Sequence, residues 1–200
     1  MAINRAVGDI TRSKTFRKGN GGRQPAILDD IARVVQFTPE LLPSKDEEAS
    51  LWLIAVSTGA RAITCDNVLV GDIQQVCWNP TNNRWLVQIE YRVTKGDWNW
   101  NHPVTIEGQL ECFHFTDPVY WLNRHLLKSF GLDLKNFKNW GVQLRRRKLW
   151  KWNKDSMREL FKDRMIKSGF PEDHFCFHSL RSGFICSALI KKGKINYISV

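Results

Sequence analysis

At 200 residues the chain is long enough for one domain with a sizeable core, and its content of 42% hydrophobic and 12% aromatic residues excludes a disordered tail. Lys and Arg number 30 against 20 Asp and Glu, and the net charge of +10 fits a polyanionic partner, although an ordinary basic protein can carry it too. There is no apolar run near the ~20 residues of a membrane span and no apolar segment typical of a signal peptide. We therefore expect a soluble, intracellular protein without a membrane partner, located in the nucleus of a eukaryotic host or otherwise in the cytoplasm and nucleoid.

Residues 1–24 are rich in Arg, Lys, Gly and Asn, a composition typical of a flexible basic arm. Such an arm either touches DNA or is simply solvated, and both interpretations stay open. The folded domain is predicted to occupy residues 25–200.

Two helices are predicted at the start of this domain. The first begins near Ile27, repeats apolar residues every three or four positions and ends before Pro39. The second begins near Ser44, a candidate N-cap, and has three acids in its first turn, where the helix dipole favours negative charge. Its body, residues 51–56, is apolar on nearly all sides and predicts a buried helix.

Alternating apolar and polar residues predict a small antiparallel sheet between about Val68 and Ile106, with strands near residues 85–93 and 103–106. Further helices are predicted over residues 118–130, 154–167 and 178–192. This order predicts an α+β fold that is mostly α-helical, with the helices packed around the small sheet.

Three short segments carry residue types suited to binding phosphate: Ser57-Thr58-Gly59-Ala60-Arg61, Val93-Thr94-Lys95-Gly96 and His178-Ser179-Leu180-Arg181. The first follows the predicted buried helix, the second joins a strand to a turn, and the third opens a helix. Each segment is weak evidence alone, because surface arginines, turn lysines and helical His-x-x-Arg pairs are common without any catalytic role.

In this order and spacing, the segments resemble box I, the β-hairpin lysine and box II of the tyrosine recombinases, a family of DNA strand-exchange integrases. The resemblance runs from about Ile27 to the C-terminus and includes Asp72 before the small sheet. It implies a mostly helical catalytic domain that holds duplex DNA, with other recombinase protomers as partners and without a cofactor.

The resemblance implies that Arg61, Lys95, His178 and Arg181 are the catalytic residues. Strand exchange passes through a phosphorane-like state, whose non-bridging oxygens two guanidinium groups can bind bidentately. Preorganised charge of this kind is usually the largest single contribution to catalysis. The lysine would protonate the leaving 5′ oxygen, and the histidine would donate a hydrogen bond or shuttle a proton.

Two positions depart from the family pattern. Three residues after the box I arginine the family commonly has an acid, whereas this chain has Thr64, which can orient the arginine only weakly. The family's tyrosine nucleophile lies well beyond box II, and the last tyrosine here, Tyr197, is too close to Arg181 to match it. We therefore expect a domain that is incomplete at its C-terminus and binds the scissile phosphate without a nucleophile of its own.

A basic run at residues 144–151 is the candidate DNA-binding surface and contains Arg145, Arg146, Arg147, Lys148 and Lys151. Such side chains would contact phosphates and position DNA without reading its sequence. A solvated loop or a nuclear-localisation signal accounts for the same run equally well. Trp98 and Trp100, next to Lys95, either pack the hairpin onto the domain or press against DNA.

Metal-ligand residue types occur in residues 174–178 and 112–114, but without the C-x-x-C spacing of structural zinc sites. We expect no metal there, and we expect Phe175 and Phe177 to face the core. The five cysteines form an odd set, which predicts reduced thiols and no disulfide framework.

Three functions remain open at this point. The chain is a recombinase domain that binds DNA without cleaving it alone, a complete enzyme whose tyrosine is Tyr197 or comes from another chain, or a basic nucleic-acid-binding module without catalytic ancestry. Geometry separates the last from the others, because a catalytic site requires the four candidate residues to converge on one phosphate-sized site.

Overall fold

The computed structural model describes residues 23–92 and 102–191. The elements follow one another as α1 (Leu28–Phe37), α2 (Lys45–Thr58), α3 (Ala62–Asp66), β1 (Ile73–Asn79), β2 (Arg84–Tyr91), β3 (His102–Gly108), α4 (Pro118–Phe130), α5 (Val142–Arg145), α6 (Lys154–Lys167) and α7 (Phe177–Lys191). Short 3-10 helices cover Val70–Asp72 and Leu134–Asn139. Within the described ranges, every helix is too short or too polar to cross a membrane. The predicted α+β class, helical with a small antiparallel sheet, is confirmed at this level of detail.

Helix α2 lies at the centre of the core, and α1, α4 and α7 pack around it. Its residues 51–56 are all buried, as their continuous apolar character predicts. The aromatic ring of Trp52 on α2 meets the rings of Phe161 on α6 and Phe177 on α7, with centroids 5.3 and 5.9 Å apart. Burying such large rings is a dominant contribution to a core of this size.

The first turn of α2 is also buried, and its charged residues have partners on other elements. The Glu48 carboxylate accepts hydrogen bonds of 2.6 and 3.0 Å from Nε and Nη2 of Arg164 on α6. Asp46 Oδ1 lies 2.9 Å from Nε of Arg124 on α4. These ion pairs tie α2 to the helices on either side of it.

The sheet is antiparallel and has the order β1–β2–β3, with Val87 of β2 opposite Val76 of β1 and Ile106 of β3. Val87 and Ile89 are completely buried, and helix α4 covers this face. The sequence pattern predicted the position of the sheet and two of its strands, and β1 completes it.

Helices α4 and α6 have the predicted bounds, residues 118–130 and 154–167. Asn153 caps α6, since its Oδ1 accepts hydrogen bonds from the backbone N–H groups of Asp155 and Ser156. Helices α3 and α5 were not predicted, because four or five residues are too few to show a helical repeat.

The N-terminal arm predicted at residues 1–24 lies outside the described residues except for its last two. Gln24 is already buried, and its backbone N–H donates a 2.7 Å hydrogen bond to the carbonyl oxygen of His174. Ala26 in turn donates to the carbonyl oxygen of Ser179 at 2.8 Å. This segment therefore holds the start of α7 in place.

Candidate functional site

A sharp turn joins α2 to α3 and places Arg61. Gly59 ends α2 in the left-handed conformation, with φ of 68° and ψ of 24°, and its N–H and that of Ala60 both donate to the carbonyl oxygen of Ala55. A left-handed residue at this position is the usual way to stop a helix, and glycine adopts it without steric cost. The chain then leaves at a new angle, and the half-buried Arg61 becomes the N-cap residue of α3.

Helix α7 packs directly on this turn. A Cβ atom added at Gly59 would lie 2.6 Å from Cδ1 of Phe184, so glycine is also required by the close approach of the two helices. One turn earlier on α7, Nη1 of Arg181 donates a 3.0 Å hydrogen bond to the carbonyl oxygen of Gly59. His178 lies one turn before Arg181 and is exposed.

These elements enclose a cleft of about 110 Å³ that is open to solvent. Its walls combine an apolar base with four basic side chains, and the lining residues are Ala60, Arg61, Ala62, Ile63, Arg158, Phe177, His178 and Arg181. No carboxylate occurs among these residues. Three guanidinium groups and an imidazole in one small cleft make it suited to an anion.

Of the four residues predicted to be catalytic, the structure brings Arg61, His178 and Arg181 together in this cleft. The fourth, Lys95, lies outside the described residues, in the connection between β2 and β3, and so do Trp98 and Trp100.

The strand that leads toward Lys95 is anchored beside the cleft. Tyr91, the last residue of β2, is buried, and its hydroxyl lies 2.9 Å from Oγ1 of Thr58. Because the Thr58 hydroxyl donates to the carbonyl oxygen of Ile54, the Tyr91 hydroxyl is the donor in this pair. Burial raises the pKa of Tyr91, so this donor keeps its proton. The end of β2 is thus hydrogen-bonded to Thr58, the residue directly before Gly59.

Asp72, the acid that precedes the sheet, has a structural role. Its side chain is completely buried and accepts hydrogen bonds from the backbone N–H of Leu69 at 2.8 Å and from Nε of Arg92 at 2.6 Å. Arg92 follows directly after β2, so Asp72 fixes the chain at the point where the connection to β3 begins. Thr64, where the family has an acid, is buried within α3.

The basic run is held against the protein rather than projecting freely. Its backbone pairs with residues 68–70, because Leu149 N–H donates to the carbonyl of Val68 and Val70 N–H donates to that of Arg147. Lys148 Nζ lies 2.5 Å from Asp66, and Lys151 Nζ lies 3.0 Å from Glu47.

The three arginines of the run differ in their contacts. The guanidinium groups of Arg145 and Arg147 lie over the rings of Phe137 and Phe130, at 5.6 and 5.2 Å from the ring centroids. Arg146 is exposed and has no ion-pair partner among the described residues. Since two of the five cations are already paired with acids, the net positive charge of this surface is smaller than its sequence indicates.

Asp66 connects the basic run to the cleft. It lies at the C-terminal end of α3 and binds both Lys148 Nζ and the backbone N–H of Lys154, the first residue of α6. Partial burial opposes ionisation of the Asp66 carboxyl, but these hydrogen bonds outweigh it and the pKa is lowered. Helix α3 thus presents Arg61 at one end and holds the start of α6 at the other.

Arg158 is the cleft residue that sequence reasoning missed. It lies one turn into α6, a helix rich in charged residues on which no motif distinguishes one cation from another. Only the packing of α6 against α3 reveals its position.

The remaining candidates do not add a nucleophile or a metal ligand to the described cleft. Tyr120 packs edge to face against Phe113 and Trp121. Neither Tyr120 nor Tyr91 lines the cleft, and Tyr197 lies outside the described residues. Over residues 23–92 and 102–191 there is no group of three His, Cys, Asp or Glu side chains that could hold a metal ion. Phe175 and Phe177 are buried, as predicted.

A comparison of this chain with protein-family models, curated proteins and solved structures finds no match. The resemblance to tyrosine recombinases therefore rests on the sequence motifs.

Proposed function

We propose that this chain binds duplex DNA and acts in DNA recombination or integration, in the manner of a tyrosine recombinase catalytic domain. The observation that carries the proposal is the convergence of Arg61, His178 and Arg181 in one solvent-open cleft. Gly59 and Arg181, which are hydrogen-bonded there, are 122 residues apart in the chain. Such long-range convergence supports a shared role for the two motifs.

The chemistry of the cleft suits a phosphodiester. Arg181 uses Nη1 to hold the carbonyl of Gly59, which orients the guanidinium and leaves its other N–H groups for an anion. Arg61 lines the same cleft from the N-cap of α3, so two guanidinium groups are available for the two non-bridging oxygens of one phosphate. His178, exposed at the rim, is available to donate a further hydrogen bond.

Duplex DNA is the phosphate source that the rest of the molecule supports best. The net charge of +10 favours association with a polyanion over association with a small phosphate ester. Additional phosphate contacts outside the cleft can come from Arg146 and from Arg145 and Arg147, whose guanidinium groups lie over aromatic rings. This segment is connected to the cleft through α3, because Lys148 binds Asp66 at the end of that helix.

We further propose that the described cleft binds the scissile phosphate without breaking it. Cleavage in this family needs a tyrosine hydroxyl, and none lies among the lining residues. Strand cleavage would require Tyr197 or a tyrosine from a second protomer to reach the phosphate, with Lys95 protonating the leaving oxygen.

DNA binding is tested by fluorescence anisotropy with a labelled duplex of mixed sequence over a series of salt concentrations. The proposal predicts that the logarithm of the binding constant falls linearly with the logarithm of the salt concentration, with a slope of about −0.9 for each neutralised phosphate. Absent or salt-insensitive binding would refute it. Equal affinity for a single strand and a duplex would instead favour a general nucleic-acid-binding module.

Cleavage is tested with half-site DNA substrates that trap a covalent protein–DNA adduct. We expect no adduct with the wild-type chain. An adduct that disappears in Tyr197→Phe would show that the chain supplies its own nucleophile and would contradict binding without cleavage.

A further inference from the structure

Arg158 on α6 lines the same cleft as the box II residues on α7. It belongs to none of the motifs that indicated a recombinase, yet it is one of the four basic side chains in the lining. Its backbone is well fixed, because Asn153 caps α6 and Asp66 binds the backbone N–H of Lys154 one turn before it.

In the free protein Arg158 has an acidic partner outside the lining. Its Nη1 lies 2.9 Å from Oδ1 of Asp155, three residues earlier on the same helix. Both side chains are more than half exposed, at 55% and 69%. Exposed pairs of this kind are weak because water screens them, so an incoming anion can take the place of the carboxylate.

We propose that Arg158 is a further phosphate-contact residue of this cleft and that Asp155 competes with the DNA phosphate for it. The inference rests on the proposed DNA binding and adds a third guanidinium to Arg61 and Arg181. Only the side chain of Arg158 has to turn, since the start of α6 is held in place. Because the exposed pair is weak, Asp155 lowers the affinity of Arg158 for a phosphate only modestly.

The test measures duplex affinity against salt for wild type, Arg158→Gln, Arg158→Lys and Asp155→Asn. Arg158→Gln removes about one phosphate contact, so the salt slope becomes shallower by about 0.9 and the affinity at ~0.1 M salt falls by about eightfold. Arg158→Lys keeps the slope, because the charge remains, but loses the bidentate fork and binds more weakly. Asp155→Asn removes the competitor and raises the affinity.

A double-mutant cycle shows whether Asp155 acts through Arg158. The gain in duplex affinity from Asp155→Asn should be smaller in the Arg158→Gln background, because the cation for which Asp155 competes is then absent. Lys162→Gln is the matched control, because Lys162 is on the same helix, pairs with Glu172 at 2.9 Å and does not line the cleft. Thermal unfolding of each variant establishes that it is folded.

The outcomes separate this inference from the proposed function. If wild type binds duplex DNA and Arg158→Gln retains its affinity and salt slope, the inference is wrong and the proposed function stands. An equal loss in Lys162→Gln would also overturn it, because the effect would then come from net charge alone. If wild type does not bind duplex DNA at all, both proposals fail.

Discussion

Arg181 Nη1 and the carbonyl oxygen of Gly59 are joined by a hydrogen bond of 3.0 Å, which ties the helix of the His-x-x-Arg pair to the end of the buried helix. The same glycine receives the ring of Phe184, one turn further along α7. The relative position of Arg61, which follows Gly59 by two residues, and Arg181 is therefore set by the packing at Gly59.

Replacing Gly59 tests this packing. Two effects destabilise the folded state of Gly59→Ala. Alanine would have to adopt a left-handed φ of 68°, and its Cβ would lie only 2.6 Å from Cδ1 of Phe184. We expect the free energy of unfolding to fall by about 2–4 kcal/mol, the sum of backbone strain and overpacking. Urea denaturation measures this value.

Gly131→Ala is the matched control for Gly59→Ala. Gly131 ends α4 with nearly the same φ, 67°, but nothing lies within 4 Å of its added Cβ. Its replacement should cost only the backbone strain, about 1–2 kcal/mol. Equal losses in the two variants would mean that the contact with Phe184 does not constrain α7.

The Glu48–Arg164 pair links α2 to α6, the helix that carries Arg158. Glu48→Gln leaves Arg164, only 15% exposed, without its bidentate partner. We expect the free energy of unfolding to fall by about 3 kcal/mol, because the largely buried guanidinium would keep only one acidic partner, the half-exposed Asp163. In contrast, Asp163→Asn removes the half-exposed second partner of Arg164 and should cost less than about 1 kcal/mol. The opposite ranking would show that Asp163, not Glu48, stabilises this arginine.

Stability should decline on mild acidification because of His125. Burial lowers the pKa of this side chain, against the opposing effect of its hydrogen bond to the carbonyl oxygen of Leu149. The unfolded chain therefore binds a proton more readily than the folded one, and the free energy of unfolding falls as the pH drops below about 6.5.

Urea midpoints at about pH 8 and pH 5.5 measure this dependence, and His125→Gln should reduce the difference between them. His114→Gln is the control, since His114 is exposed and its ring is hydrogen-bonded to nearby Thr116. If His125→Gln kept the full pH dependence, another group would be responsible for it.

The sequence predicted the helices whose ends are marked by capping or helix-breaking residues. It also predicted the residues that belong to motifs. Residues 118–130 stand between Asp117, whose side chain caps two backbone N–H groups, and the left-handed Gly131. Arg61, His178 and Arg181 were predicted as a set, and the structure places them in one cleft. Local signals of this kind are readable because neighbouring residues create them.

Long-range pairing could not be read in the same way. The cations of the basic run were visible in the sequence, but not that Lys148 pairs with Asp66, 82 residues away. Arg158 was missed for the same reason, because its role depends on how α6 packs against α3. Tertiary packing, and not the local sequence pattern, determines which distant residues form such contacts.

The most direct test of the phosphate-binding cleft compares the salt dependence of duplex binding in Arg61→Gln/Arg181→Gln with that of wild type. Losing two phosphate contacts should make the slope shallower by about 1.8 and weaken binding by roughly 60-fold at ~0.1 M salt. Arg84→Gln, at the opposite end of β2 from Tyr91 and exposed, is the control and should lose far less. A double variant that stays folded and binds DNA with the wild-type slope would contradict the central claim.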